Sequence, residues 1–124
     1  MIVHVDTSAL VNACSGPRAG LATIEALIDS RARLVVSALV LYEWRRGPRT
    51  PDDLELQERL LPAAEAAHFG PEEADIAAAL YRQVRRPRGR DLDLAIAACA
   101  IAHDAALWTL NRADFEDIPG LRLL

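Results

Sequence analysis

The run Ile2-Val3-His4-Val5 is short and apolar, and it ends abruptly on Asp6, followed by the hydroxyls of Thr7 and Ser8. A strand buried in a parallel sheet reads as a continuous apolar run, and ligands of open α/β sheets bind just beyond the carboxyl ends of the strands. Asp6 therefore stands where such folds carry out their chemistry. An acid at the mouth of a core strand is costly unless something offsets its charge, so the nature of that offset becomes the question.

The remaining pattern alternates helices with short strands. A helix capped by Thr7 or Ser8 is expected through Ala13, broken at Ser15-Gly16-Pro17. Leu21, Ile24, Leu27 and Ile28 recur at helical spacing, Leu34-Val35-Val36 gives a second strand, and Ser37 caps a helix over Ala38 to Arg46 that Gly47-Pro48 terminates. Pro51-Asp52-Asp53 opens another helix, continued by Leu54 to Leu61, in which the two acids serve as partners of the helix dipole. A brief strand is expected around Ala66 to Phe69. Pro71-Glu72-Glu73 then starts a helix with Ile76, Leu80 and Val84 on one side, ended by Pro87 and Gly89. A very apolar helix from Asp91 to His103, a strand over Ala106 to Leu110 and a terminal strand Leu121-Arg122-Leu123-Leu124 complete the chain. Such alternation argues for an α/β fold with a central, mainly parallel sheet of four to five strands and helices on both faces.

With 124 residues, 52% of them hydrophobic, the chain suits a single domain over 1–124 with a substantial core. A net charge of -4 excludes a uniformly basic nucleic-acid coat, though not a local basic patch. No apolar stretch is long enough for a membrane span and the start resembles no secretory leader, so a cytoplasmic protein is expected. Cys14 and Cys99 lie inside apolar segments, the usage of small reduced core residues. Cys99 and His103 share a helical spacing used by metal pairs, but no further soft ligand accompanies them. They read as a core cysteine and a helix-end histidine. His4 and His68 read as structural, Tyr42 and Trp44 as packing beside the second strand in preference to stacking on a base, and Trp108 as core.

Most acids lie on polar helix faces or in first helical turns, where solvation or the helix dipole accounts for them. Four stand apart. Asp6 ends the first strand, Glu43 lies within Leu39-Val40-Leu41-Tyr42-Glu43-Trp44, Asp93 opens Asp93-Leu94-Ala95-Ile96-Ala97-Ala98, and Asp114 follows the third strand. Asp6, Asp93 and Asp114 fall at strand ends or at a helix start, and Glu43, one and a half turns after Ser37, is placed to point toward the same edge. Carboxylates held together repel one another, and the natural compensation is a hard divalent cation that prefers oxygen ligands and keeps waters, Mg²⁺ or Mn²⁺. Without a metal such a cluster protonates or destabilises the fold.

These same segments resemble the PIN domain, and especially its VapC-type toxins: Val5-Asp6-Thr7-Ser8-Ala9-Leu10, Tyr42-Glu43-Trp44, Asp93-Leu94-Ala95-Ile96-Ala97-Ala98, and Thr109-Leu110-Asn111-Arg112-Ala113-Asp114-Phe115 through Ile118-Pro119-Gly120-Leu121. The resemblance runs in order along essentially the whole chain. It implies a PIN-like fold and a Mg²⁺- or Mn²⁺-dependent endoribonuclease toxin, homodimeric and neutralised by a cognate VapB-type antitoxin. It also implies that Asp6, Glu43, Asp93 and Asp114 are the catalytic acids, with Asp6 and Asp93 on the metal and Thr7, Ser8 and Asn111 in support. Asp91 lies two residues before Asp93, and alignment of the Ile96-Ala97-Ala98 run selects Asp93. Whether Asn111 or Asp114 touches the metal, and whether one ion or two bind, stays open at this level.

All 14 basic residues are arginine. Arg82, Arg85, Arg86, Arg88 and Arg90 fall within nine positions that hold no acid, immediately upstream of Asp93. Arginine forks suit phosphate, so Arg85, Arg86, Arg88 and Arg90 are candidate RNA contacts; cations solvating a helix end and meeting its C-terminal dipole account for them equally well. Arg45, Arg46 and Arg49 form a second, weaker patch. The absence of lysine argues against phosphoacceptor domains, which also place an aspartate at a strand end with Mg²⁺ but call for a phosphate-pairing lysine. A dinucleotide-binding domain needs a glycine-rich turn where Asp6-Thr7-Ser8-Ala9 stands. The alternative from another class is a catalytically silent PIN-like module that binds RNA or a protein without cutting.

Overall fold

In the computed structural model, which describes residues Met1 to Leu124, the apolar run at the start is an interior strand, β1 (Ile2–Val5). It pairs on one side with β2 (Arg33–Val35) and on the other with β3 (Ala106–Trp108), which in turn pairs with β4 (Arg122–Leu123), every pairing parallel. Successive side chains of a strand point to opposite faces. Val3, His4 and Val5 are nevertheless all buried, as are Ala106, Leu107 and Trp108, so both faces of the sheet are covered. The covering helices are α1 (Thr7–Cys14), α2 (Leu21–Asp29), α3 (Ala38–Arg46), α4 (Pro51–Leu60), α5 (Pro71–Gln83) and α6 (Asp91–Ala102). No helix is long and apolar enough to cross a membrane.

Having formed β1, the chain builds β2 on one side and later returns to build β3 on the other. That reversal creates a crevice at the carboxyl ends of β1 and β3, the place where open sheets bind ligands. Register fixes what meets there. Val5 stands opposite Trp108, and the Asp6 N–H donates to the Trp108 carbonyl at 2.9 Å, so Asp6 and Thr109 leave their strands side by side. Beside them runs α6, whose residues Leu94 through Ala100 are all buried. A helix apolar all round belongs inside the protein, and the alanines at 95, 97, 98 and 100 let α5 and β3 approach it closely.

Several expectations are corrected. Ala66 to Phe69 does not form a fifth strand: Ala67 makes one isolated parallel bridge to Ser37, squeezed between the 3₁₀ turn Ala63–Glu65 and the start of α5. β3 and β4 are also shorter than expected, β2 starts one residue earlier at Arg33, and Leu110 lies beyond β3, exposed. Asp53 is more than a dipole partner. With Thr50 it forms a reciprocal capping box, each N–H reaching the other's side chain at 3.1 Å, and Ser15 Oγ donates to the same Asp53 oxygen at 3.2 Å. Arg18 approaches its second oxygen at 3.7 Å, so one carboxylate ties α4 to the end of α1. The Thr50 N–H, foremost among these partners, holds the Asp53 carboxyl below its usual range.

Tyr42 does not share the burial of Trp44. Val40, Leu41 and Trp44 lie on the buried side of α3, whereas Tyr42 points the other way, 58% exposed with the Arg46 guanidinium over its ring. Arg49 stacks on Trp44 and donates to its carbonyl at 3.0 Å. His4 is buried and meets a partner 99 residues away: its Nε2 lies 2.8 Å from Nδ1 of His103, the residue that ends α6. Burial first, and the nearby His103 second, push His4 down to about 4, so it is neutral at pH 7. Cys14 and Cys99 are buried and free, as expected.

Candidate active site

Asp6 occupies the N-cap position of α1, yet its side chain caps nothing. An aspartate there ordinarily accepts an N–H of the first turn. Instead its Oδ2 accepts two hydroxyls, from Thr109 at 2.7 Å and Ser8 at 2.9 Å. The two hydroxyls are themselves held, since Ser8 Oγ accepts the Leu110 N–H and Thr109 Oγ1 accepts the Asn111 N–H, each at 3.0 Å. One oxygen of a buried carboxylate is thus locked into the protein, while Oδ1 takes no protein donor.

Thr109 is the participant that sequence reasoning missed. Its only signal is a hydroxyl at the end of a strand, and its meaning depends on β3 lying beside β1. Thr109→Val is close in volume but removes the hydroxyl, leaving Asp6 Oδ2 and the Asn111 N–H each short of a partner. Loss of such an outer partner is expected to reduce activity about 10- to 100-fold, measured as initial rate at saturating metal.

Glu43 projects from α3 toward the same edge. Thr7 Oγ1 donates to its Oε1 at 2.6 Å, and Arg46, one turn on, lies 3.5 Å from its Oε2. Thr7 therefore supports Glu43 and Ser8 supports Asp6, dividing two adjacent hydroxyls between two acids. Asp93 sits in the first turn of α6, partly buried, with neither a hydrogen bond nor an ion pair of its own. Burial is the main force pushing its carboxyl up to about 6, followed by repulsion from Asp6, Asp114 and Glu43; Arg90 pulls the other way. Three acids distant in sequence thus act on Asp93 at the carboxyl edge of β1 and β3. Asp114 lies on an exposed 3₁₀ turn, Arg112–Asp114, anchored by buried Phe115. Asn111 lies on the same rim, its side chain exposed and without a hydrogen-bond partner.

Of the candidate phosphate contacts, Arg85, Arg86 and Arg88 are exposed and free of acid partners. Arg90 differs, being paired with Asp117. Arg85, Arg86 and Arg90 line a groove of about 500 Å³ together with Ala113, Asp114 and Asp117. In the second patch Arg46 and Arg49 are engaged with Glu43, Tyr42 and Trp44, leaving Arg45 free.

No three His, Cys, Asp or Glu side chains stand close enough to cage a metal as they are. A Mg²⁺ ion does not need a cage: it retains several waters and is commonly held by one or two carboxylates. Asp6 and Asp93 fit that demand, each offering oxygen that no cation or protein donor occupies. The donor set is all oxygen, suited to Mg²⁺ or Mn²⁺ and unsuited to softer ions.

Comparison with known proteins agrees with this geometry. No curated protein matches the sequence. Among solved structures, the chain resembles VapBC2 from Rickettsia felis bound to a DNA fragment from their promoter, at a TM-score of 0.79 and 26% identity, covering 100% of this chain and 98% of the other. DNA-bound VapBC from Salmonella typhimurium follows at 0.77 and 19%, covering 100% and 97%. VapBC-5 from Mycobacterium tuberculosis, of the VapBC family of toxin-antitoxin systems, gives 0.62 and 20%, covering 99% and 97%. The PIN domain family itself matches residues 3–121, a span that takes in Asp6, Glu43, Asp93 and Asp114 together with the sheet apart from Ile2 and the last strand. A parallel sheet that delivers acids to one edge, matched along nearly its full length, makes this chain a member of the PIN domain family.

Proposed function

We propose that this protein is the toxin of a toxin-antitoxin pair: a divalent-metal-dependent endoribonuclease that hydrolyses RNA phosphodiester bonds. The observation that carries the reading is the convergence of acids on Asp93, a carboxyl driven up to about 6 by burial and three neighbouring acids, while the nearest guanidiniums, Arg46 and Arg90, are engaged by Glu43 and Asp117. A cleft whose positive charges are already engaged suits a hard cation and the phosphate it would accompany. Support also comes from the likeness to VapBC complexes, whose antitoxin component implies a small VapB-type partner for this chain. A homodimer in the cytoplasm completes the reading.

In this mechanism Asp6 and Asp93 would hold Mg²⁺ or Mn²⁺, which when bound would supply a water of lowered pKa and charge to balance the phosphoryl oxygens. Thr109 and Ser8 fix Asp6, so its free oxygen keeps one direction through turnover. Thr7 fixes Glu43 in the same way. Glu43, Asp114 and Asn111 line the cleft where a water attacking in line must be oriented, and accept or direct its proton. Arg85, Arg86 and Arg88 hold the flanking phosphates, leaving the scissile group to the acids.

Purified protein with Mn²⁺ or Mg²⁺ is expected to cleave RNA, and a chelator to stop it. Growth arrest on expression should be relieved by co-expressing the small protein encoded beside it. Cleavage that persists in chelator would remove the metal from the reading. RNA binding without cleavage under all divalent ions would establish a silent module instead.

A further inference from the structure

We propose that Arg90 and Asp117 form a clasp that positions Asp114 against Asp93, making Arg90 a positioning residue rather than a phosphate contact. The inference rests on the nuclease reading for its consequence, though not for its geometry.

Arg90 is the last arginine of the basic tract and the N-cap residue of α6, three positions before Asp93. Its guanidinium meets Asp117 with a two-point fork, Nη1 to Oδ2 at 2.8 Å and Nη2 to Oδ1 at 2.6 Å. A third bond runs from Nη2 to the Asp114 carbonyl at 2.9 Å. The side chain is only 19% exposed, whereas Arg85, Arg86 and Arg88 point freely into solvent. Three of its five N–H donors are spent within the protein.

What it holds is a turn that needs holding. Residues 111–117 are exposed except for Phe115, and their other bonds are local, such as Asp114 N–H to the Asn111 carbonyl at 3.0 Å and Glu116 N–H to the Arg112 carbonyl at 2.9 Å. Phe115 and Ile118 anchor the turn in the core but leave its outer edge free. Asp114 on that edge repels Asp93. Arg90 counters the repulsion by joining the start of α6 to both ends of the segment that carries Asp114, at residues 24 and 27 positions away. Lysine would carry the charge without the fork, so it could not grip carboxylate and carbonyl together.

The test compares Arg90→Ala, Arg90→Lys, Asp117→Asn and Asp117→Glu in the full chain. RNA cleavage is resolved into kcat and KM with Mn²⁺, and amide hydrogen exchange of residues 112–117 is followed without metal or RNA. Arg90→Ala and Asp117→Asn should each lower kcat about 10- to 100-fold with KM little changed. Both should speed exchange in the turn, and the double variant should be no worse than the poorer single one. Asp117→Glu should retain most activity and Arg90→Lys should not. If Arg90 instead served phosphate, freeing it by Asp117→Asn would lower KM, and Arg90→Ala would raise KM at constant kcat; that result overturns the clasp. Unchanged exchange in Arg90→Ala overturns it as well. Failure of the wild type to cleave any RNA would strike the nuclease reading alone, since the exchange measurement still decides whether the clasp holds the turn.

Discussion

Replacing Asp93 with asparagine is expected to abolish RNA cleavage and, in the metal-free protein, to make the fold more stable. Loss of activity should exceed about 100-fold, the upper end of what removing an outer partner costs, because Asp93 is proposed to touch the metal itself. The gain in stability follows from its environment. Asp93 titrates near 6 in the fold and near 3.8 when unfolded, so at pH 7.5 the folded state carries a charge it disfavours. Asparagine mimics the neutral form and removes a penalty of about 1–2 kcal/mol once solvent screening of this half-exposed group is allowed for. Against this stands the favourable placement of a carboxylate in the first turn of α6, about 0.3–1 kcal/mol, so removal of the penalty wins. Urea unfolding at pH 7.5 with a chelator reads the difference, and Mn²⁺ should then stabilise the wild type but not the variant. A variant that still cleaves, or that is weaker than wild type without metal, would overturn the assignment. Asp6→Asn should lose cleavage to a similar degree while keeping its fold, since asparagine still offers an oxygen to Thr109 and Ser8.

A second large effect is partly hidden by compensation. His4 titrates near 4 in the fold against 6.5 unfolded, so between those values the unfolded chain binds a proton that the folded one refuses, and stability falls as pH drops. Asp93 behaves oppositely, because between about 3.8 and 6 the folded state keeps a proton that the unfolded chain has released. Stability from this group falls as pH rises. His4 contributes about 3 kcal/mol and the half-exposed Asp93 about 1–2 kcal/mol, over nearly the same window. The metal-free wild type should therefore lose only about 1–2 kcal/mol from this pair on acidification from about pH 6.5 to 4, whereas Asp93→Asn should lose about 3 kcal/mol through that range. Unfolding free energies measured at half-unit intervals of pH test this. A parallel response of the two proteins would show that Asp93 does not hold the proton.

What the sequence disclosed about the site follows from which signals are local. Asp6, Glu43, Asp93 and Asp114 were legible because each interrupts an apolar run or ends one, and because their order along the chain matches a family. Strand identity was legible for the same reason. Thr109 was not, because a hydroxyl at a strand end acquires its role only when β3 is known to lie beside β1. The partners of His4 and Asp53 were hidden for the same reason, as was the engagement of Arg90 by an acid 27 positions away. Tyr42 was misread although its helix was placed correctly: a phase of two residues from Val40 turns it to the far side. The strand expected at Ala66 to Phe69 had the composition but lacked the length between two turns.

The bond between Thr109 and Asp6 spans 103 residues, so the first strand of the chain waits for nearly the last. Such long-range pairing is slow to form, and during synthesis Asp6 emerges long before the hydroxyl that fixes it. A chain that ends short of Thr109 carries Asp6, Glu43 and Asp93 and still cannot assemble the cleft. For a protein proposed to cut RNA, the full set of contacts around Asp6 is complete only once the chain reaches Thr109.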